Sequence, residues 1–310
     1  MSKKLWWRGV VTIVLVTGLA GILIFISSAV QDSETEVVNT KTVFRSVEIP
    51  DTAYFAGERV PLERFDVREA LDRELIVNSY FHSQTIRFIK LAPRYFEMIE
   101  PILAEEGIPD DFKYLAVAES GLDPRAESPA NAVGFWQFLS GTARDYGLEI
   151  NSEVDERFHV EKATRAASDY MKDAYEKFGN WTMVAASFNA GMRGVSRQAE
   201  RQKSENYYDL LFVEETQRYV FRILALKLVL EKPERYNFII GDEEKYPIIE
   251  TKEVEIDGPV EDFADFAKSY DLNYKLLKDF NPWLRQTYLT NSSGKKYSIK
   301  IPLLKAQAAS

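Results

Sequence analysis

The chain has 310 residues, of which 45% are apolar, and this is enough for a sizeable folded core with one small additional module. Its formal net charge of -9, from 39 basic and 48 acidic residues without an evident basic cluster, argues against a general nucleic-acid-binding protein. The absence of cysteine excludes disulfides and thiolate metal sites, and the two widely separated histidines, His82 and His159, argue against a histidine metal site or a Ser-His-Asp triad, so we expect neither metal nor cofactor.

Residues 1–30 have the features of a membrane anchor. Basic residues precede an uncharged apolar run over residues 9–30, which is about the length that a helix needs to cross a bilayer. Because basic residues come before this run and acidic residues follow it, we predict that the N-terminus stays in the cytoplasm. A cleaved signal peptide is the alternative. Both interpretations place the remainder of the chain outside the cytoplasm.

Residues 31–65 mix Thr, Ser, Val, Glu and Asp without a helical period, and we predict a linker with some local extended structure. From residue 66 the pattern becomes helical, and Asp66 followed by Glu69 resembles a capping box. Further helices are predicted over residues 94–106, 110–120, 160–178, 181–190 and 214–231. Residues 66–240 are therefore predicted to form a mainly α domain.

The helix predicted over residues 110–120 carries an unusual carboxyl group. Helical spacing places Glu119 on the same face as the apolar residues Phe112, Leu115 and Ala116. Burial on that face raises a carboxyl pKa, as is required of a general acid near neutral pH. An exposed glutamate, or one that pairs with an arginine, is the alternative, and spacing alone does not decide between them.

Four short motifs occur in order along this region. They are ESGLDP at 119–124, GFWQF at 134–138, SFNAG at 187–191 and ETQRYV at 215–220. Their order and spacing resemble those of the soluble lytic transglycosylase family of the goose-lysozyme-like fold, and within it the membrane-bound murein transglycosylase D group. The resemblance extends over residues 66–235. It implies a mainly α, lysozyme-like catalytic domain.

The resemblance also implies roles for individual residues. Glu119 is expected to be the catalytic acid and base, Tyr219 to orient it through a hydrogen bond, and Ser120 to hold the substrate beside it. Gln137 and Asn189 are expected to bind sugar hydroxyl or N-acetyl groups. We further expect substrate contacts at Gly191, which frees the backbone after Asn189, and at Trp136, for which core packing is the alternative.

The function implied is that of a peptidoglycan lytic transglycosylase, which cleaves the bond between N-acetylmuramic acid and N-acetylglucosamine and leaves a 1,6-anhydro end. The partners expected are peptidoglycan glycan strands and the inner membrane, crossed once, with the catalytic domain in the periplasm. Two alternatives remain open. One is a hydrolytic lysozyme of the same fold, which requires a second well-placed acid. The other is a non-catalytic peptidoglycan-binding protein.

Residues 241–310 are predicted to form a small α+β module. An extended segment at 246–256, helices at 260–270 and 274–280, and a strand at 296–302 give a βααβ order. This order resembles a lysin-motif domain, as do the NPWL sequence at 281–284 and the closing IKIP. The resemblance implies binding of N-acetylglucosamine polymers, and the alternative is a packing appendage of the catalytic domain.

Overall fold

The computed structural model describes residues 46–303. The predicted membrane anchor, residues 1–30, and the first part of the predicted linker lie outside the described residues. Among the helices within residues 46–303, none combines the length and the apolar character needed to cross a membrane.

The described part of the chain before residue 240 is mainly helical. Its elements are β1 (Tyr54–Phe55), β2 (Glu58–Arg59), α1 (Phe65–Tyr80), α2 (His82–Glu105), α3 (Lys113–Ser120), α4 (Ser140–Asp145), α5 (Val160–Phe178), α6 (Trp181–Ala190), α7 (Met192–Gln202) and α8 (Glu214–Glu231). The helices predicted over 160–178, 181–190 and 214–231 are present with those bounds. The helix predicted at 94–106 is only the second half of α2, which begins at His82 and continues through Pro93 and Pro101.

The predicted capping box at the start of α1 is wrong. The helix begins at Phe65, and Arg64 occupies the N-cap position without a side-chain capping bond. The Asp66 carboxylate instead accepts a hydrogen bond of 2.7 Å from the Arg64 guanidinium. A charged hydrogen bond to a neighbouring arginine therefore replaces the expected bond to the helix backbone.

Part of the predicted linker belongs to the folded domain. Residues 54–59 form the β1–β2 hairpin, and the Phe55 side chain is fully buried in the main core, where its ring lies 5.3 Å from that of Phe112. The Glu58 carboxylate accepts hydrogen bonds from the backbone N–H groups of Trp181 and Thr182 at the start of α6. It thus supplies the negative charge that a helix N-terminus favours. Strands of two residues are too short to give a detectable sequence period.

The helix α6 lies at the centre of the domain. Residues 182–187 are all buried, and the helix packs against α5, α7 and α8. The longer α8 also packs against α1 on one side and α3 on another. Because α3 lies against α8, the end of α3 is held beside the first turns of α8, which is where the candidate site forms.

The C-terminal module has the predicted βααβ order. It consists of β3 (Thr251–Ile256), α9 (Phe263–Lys268), α10 (Tyr274–Phe280) and β4 (Tyr297–Pro302), and β3 pairs with β4 in antiparallel register with Val254 opposite Ile299. Asn281 is fully buried at the end of α10. Its side chain donates to the backbone carbonyls of Leu277 and Lys300 and accepts a bond from the Lys300 N–H, so it joins α10 to β4.

The module shares an apolar core with the helical domain. Val133, Val154 and Phe158 lie in the same buried cluster as Trp283 and Leu284. Backbone hydrogen bonds cross the boundary from Asp155 N–H to the Trp283 carbonyl and from Arg285 N–H to the Glu153 carbonyl. The two parts therefore pack as one compact unit.

Candidate active site

Glu119 is the penultimate residue of α3. The preceding turns bury Leu115 and Ala116 completely, so the carboxyl group follows the apolar face of a short helix, as predicted. The helix ends at Gly121, whose φ of 60° is in the left-handed region and whose N–H bonds to the Val117 carbonyl. A Cβ atom there would lie 2.7 Å from the Phe88 ring, so glycine also permits the close approach of α2.

The surroundings of Glu119 raise its pKa to about 7. Burial is the main cause, because desolvation penalises the ionised carboxylate. The hydrogen bond from Tyr219 and the positive charge of Arg222 oppose this effect, and the negative charge of Glu215 adds to it. Near neutral pH the group therefore exchanges readily between acid and carboxylate, as a residue that acts first as acid and then as base requires.

Tyr219 is the hydrogen-bond partner of Glu119. It lies on α8, is 2% exposed, and its hydroxyl donates to Glu119 Oε1. Burial raises the pKa of Tyr219 well above its ordinary value, and the adjacent Glu119 carboxyl group adds to this effect. The phenol therefore keeps its proton, and it leaves Glu119 Oε2 as the oxygen that can give or take a proton.

A groove of about 570 Å³ opens beside Glu119. It is lined by residues 117–121 of α3 and its end, and by Ser83, Gln84, Arg87 and Phe88 of α2. Ser120 borders the groove, with its hydroxyl donating to the Ala116 carbonyl at 3.2 Å. Among these lining residues, all in the described part of the chain, Glu119 alone is acidic.

Sequence reasoning missed the α2 side of this groove. Ser83, Gln84 and Arg87 belong to no motif, and their closeness to Glu119 depends on the packing of α2 against α3. The only sequence signal is their spacing of three to four residues, which places Gln84 and Arg87 on one helix face.

Asn189 is held by the same helix as Tyr219. Its Oδ1 accepts a hydrogen bond of 2.7 Å from the Thr216 hydroxyl, and its Nδ2 lies 3.4 Å from Glu215 Oε1. Thr216 precedes Tyr219 by about one helical turn, so one face of α8 contacts both Asn189 and Glu119. Gly191 follows with φ of 72° between α6 and α7, where any side chain would be strained.

Gln137 and Trp136 have mainly structural contacts. The Gln137 amide donates to the carbonyls of Ala126 and Gly134 at 3.1 and 2.9 Å, so its nitrogen is used to hold the loop. Trp136 is 0% exposed, and its indole N–H donates to the Thr164 hydroxyl at 2.9 Å. The prediction that Trp136 contacts the substrate is wrong, because a fully buried ring with a bonded N–H presents no face to a sugar.

No group of three or more His, Cys, Asp or Glu side chains suited to a metal ion occurs within residues 46–303.

Comparisons with known proteins agree with the motifs. Residues 98–211 match the model of the transglycosylase SLT domain, and residues 252–305 match that of the soluble lytic transglycosylase C-terminal LysM-like domain. The chain is 30% identical over 251 residues to the membrane-bound lytic murein transglycosylase D of Escherichia coli strain K12, covering 78% of this chain and 54% of that protein. The counterpart from Escherichia coli O6:H1 gives the same values. The chain thus spans about half the length of these curated relatives.

Two solved structures are also similar in part. The 70 kDa soluble lytic transglycosylase of Escherichia coli is 22% identical with a TM-score of 0.38, over 48% of this chain and 25% of that one. An inactive mutant of lytic transglycosylase Slt from Pseudomonas aeruginosa is 20% identical with a TM-score of 0.38, over 51% of this chain and 28% of that one. The chain therefore contains a region like the transglycosylase SLT domain over residues 98–211 and a LysM-like region over residues 252–305, and its sequence is similar to that of membrane-bound lytic murein transglycosylase D.

Proposed function

We propose that the chain is a lytic transglycosylase that cleaves the β-1,4 bond between N-acetylmuramic acid and N-acetylglucosamine in peptidoglycan and leaves 1,6-anhydro ends. The observation that carries this proposal is the Glu119 carboxyl group, which borders an open groove, has a pKa raised to about 7 and is bonded to Tyr219. The names of the curated relatives, which describe murein transglycosylases, support the choice of substrate.

In the first step Glu119 acts as a general acid. Its proton, carried on Oε2 because Oε1 accepts from Tyr219, passes to the bridging oxygen of the glycosidic bond. The bond from C1 to that oxygen breaks, and the leaving sugar departs as an alcohol. The positive charge that develops at C1 is stabilised by the N-acetyl oxygen of the same muramyl residue.

In the second step Glu119 acts as a general base. The carboxylate takes the proton from the muramyl C6 hydroxyl, and the oxygen of that hydroxyl attacks C1. A C1–O6 bond forms, Glu119 regains its proton, and no water is consumed. The nucleophile is part of the substrate and needs no second carboxylate to activate it, because an intramolecular attack benefits from proximity.

A hydrolytic lysozyme is the second candidate, and one observation favours considering it. Glu215 lies near enough to Glu119 to raise its pKa, and its exposed carboxylate is within reach of the Asn189 amide. In a hydrolase, such a second carboxylate would activate a water molecule. Glu215 lies outside the set of groove-lining residues, and this supports the transglycosylase proposal instead.

We further propose that the folded part works outside the cytoplasm, in the periplasm, anchored by the apolar segment of residues 9–30. The support is the charge asymmetry around that segment, together with the membrane-bound description of the curated relatives.

The test is a digest of purified peptidoglycan with the original chain and with Glu119→Gln and Glu215→Gln variants, followed by mass spectrometry of the fragments. The original chain and Glu215→Gln should both release muramyl ends lighter by one water than reducing ends. Glu119→Gln should release none, since a glutamine cannot donate the proton. Reducing ends that depend on Glu215 would establish the hydrolase instead.

A further inference from the structure

A second cavity, of about 640 Å³, lies between the helical domain and the C-terminal module. One wall is formed by α2 and the loop after α3, and the other by β3, α10 and β4. The shared apolar core holds these walls together. The cavity thus lies within the compact unit.

The cavity continues the line of the active-site groove. Arg87 of α2 lines the groove, and Arg94 and Met98 line the cavity. Residues spaced by seven and eleven positions share one helix face, and Arg94 lies about 10 Å beyond Arg87 along that face. The Arg87 guanidinium also approaches the Asp123 carboxylate at 4.0 Å, and Asp123 lines the cavity. An extended substrate can therefore contact both sites at once.

The lining combines an apolar floor with charges of both signs. Partly exposed Met98, Leu276 and Phe280 contribute apolar surface. Two ion pairs also line the cavity, Arg125 with Asp279 and Lys300 with Glu161. All four charged side chains keep between 15% and 49% of their exposure, so they remain available to ionic groups of a ligand.

His159 adds a buried polar group without a hydrogen bond. Its Nδ1 makes none within the described residues, although Glu161 Oε2 lies 3.3 Å away. Burial lowers the pKa of His159 to about 4, assisted by the positive charges of Lys162 and Lys300, so the ring is neutral at physiological pH. His159 lines the cavity, so it contributes a neutral polar ring to the lining.

We propose that this cavity binds the peptide part of the peptidoglycan strand, a short peptide that carries carboxylates and an amine, while the glycan occupies the groove beside Glu119. The assignment rests on the proposed function. A peptide is favoured over a sugar because Trp283 and Phe158 are only 3% and 2% exposed and offer no open aromatic face for stacking. The two ion pairs match carboxylate and ammonium groups, which uncharged N-acetylglucosamine lacks.

Two variants test the proposal by separate means. Arg125→Gln removes one cation from the lining and leaves Asp279 paired with Lys275, and Met98→Trp fills part of the cavity. Arg59→Gln, which alters an exposed ion pair on the β1–β2 hairpin, is the matched control. Each full-length protein is assayed on glycan strands with peptides and on strands from which an amidase has removed them.

We expect Arg125→Gln to cut kcat/KM on peptide-bearing strands by about tenfold, the usual effect of losing one charged hydrogen bond, and Met98→Trp to cut it by a similar factor because the larger ring occupies space that the peptide needs. Rates on stripped strands and all rates of the control should not change. An equal loss on both substrates, or no loss on either, would overturn the proposal.

Direct binding separates this proposal from the catalytic one. Calorimetric titration of Glu119→Gln with a disaccharide-tetrapeptide and with chitotetraose requires no turnover. Weaker binding of the disaccharide-tetrapeptide after adding Arg125→Gln, with chitotetraose unaffected, supports the peptide site even if no anhydro products are ever found. Weaker binding of chitotetraose instead would make the cavity a sugar site and refute the proposal.

Discussion

Replacement of Glu119 by glutamine should stabilise the protein above neutral pH. In the unfolded chain this carboxyl group has an ordinary pKa of 4.5, and burial raises it to about 7 in the folded state. Between these values the folded state binds more protons than the unfolded state, so the free energy of unfolding falls as the pH rises through this window. Glutamine carries no charge and can still accept the Tyr219 hydrogen bond through its carbonyl oxygen, so the variant escapes this loss.

The size of the effect follows from the pKa change. A rise from 4.5 to about 7 corresponds to about 3 kcal/mol once the group is fully ionised, near pH 8. Glu119 keeps partial contact with solvent at the groove, and this reduces the expected gain to about 1–2 kcal/mol. For a domain of this size, such a gain raises the midpoint of thermal unfolding by about 3–6 °C.

The assay is thermal unfolding of the original chain and Glu119→Gln, followed by circular dichroism between pH 4 and pH 8. The two proteins should unfold together at pH 4 and diverge steadily above pH 5. Glu97→Gln, a change at an exposed position of α2, is the control and should show no such divergence. If Glu119→Gln is equally or less stable than the original chain at pH 8, the carboxyl group is not desolvated as described.

Further predictions concern the support of the site. Tyr219→Phe removes a bond that lowers the pKa of Glu119, so the descending limb of kcat/KM against pH should move to higher pH. Trp136→Phe should lower the free energy of unfolding by about 2 kcal/mol in urea titrations with KM unchanged, since the ring is a core residue. Asn281→Ala should cost about 2–4 kcal/mol, and the whole compact unit should still unfold in one transition. Gly134→Ala should not yield folded protein on gel filtration, because its Cβ would lie 1.9 Å from a backbone oxygen.

Strong periodic patterns account for what the sequence predicted well. The helices over residues 160–178 and 214–231 have long 3.6-residue periods, and Gly179 ends the first of them with φ of 68°. The prediction that Glu119 contacts Tyr219, 100 positions away, did not rest on a periodic pattern. It came from the resemblance of ordered motifs, and the geometry places the two side chains in contact.

The features that the sequence did not reveal depend on tertiary contacts. Residues 54–59 have no period long enough to detect, and they are ordered because Phe55 enters the core and Glu58 binds the start of α6. Trp136 lies beside Gln137 in a motif, but its indole N–H donates a hydrogen bond to the Thr164 hydroxyl and its ring is buried. The residues that Phe55, Glu58 and Trp136 contact are all distant in sequence, so no local pattern indicates these contacts.

The close packing of the C-terminal module was also beyond sequence reasoning. The βααβ order was predicted from the pattern of extended and helical segments. The contacts of Phe158 with the module core, in contrast, join residues more than 100 positions apart. These contacts create the cavity between the two parts. The sequence left open whether the module binds glycan or is a packing appendage, and the module packs in the same compact unit as the helices that precede it.

The most direct test of the central claim is a digest of peptidoglycan by the active chain in water enriched in ¹⁸O, with the new ends analysed by mass spectrometry. If Glu119 activates the muramyl C6 hydroxyl, the new ends will be 1,6-anhydro sugars that contain no ¹⁸O. If the new ends are reducing sugars that carry ¹⁸O from the solvent, water is the nucleophile and the transglycosylase account is contradicted.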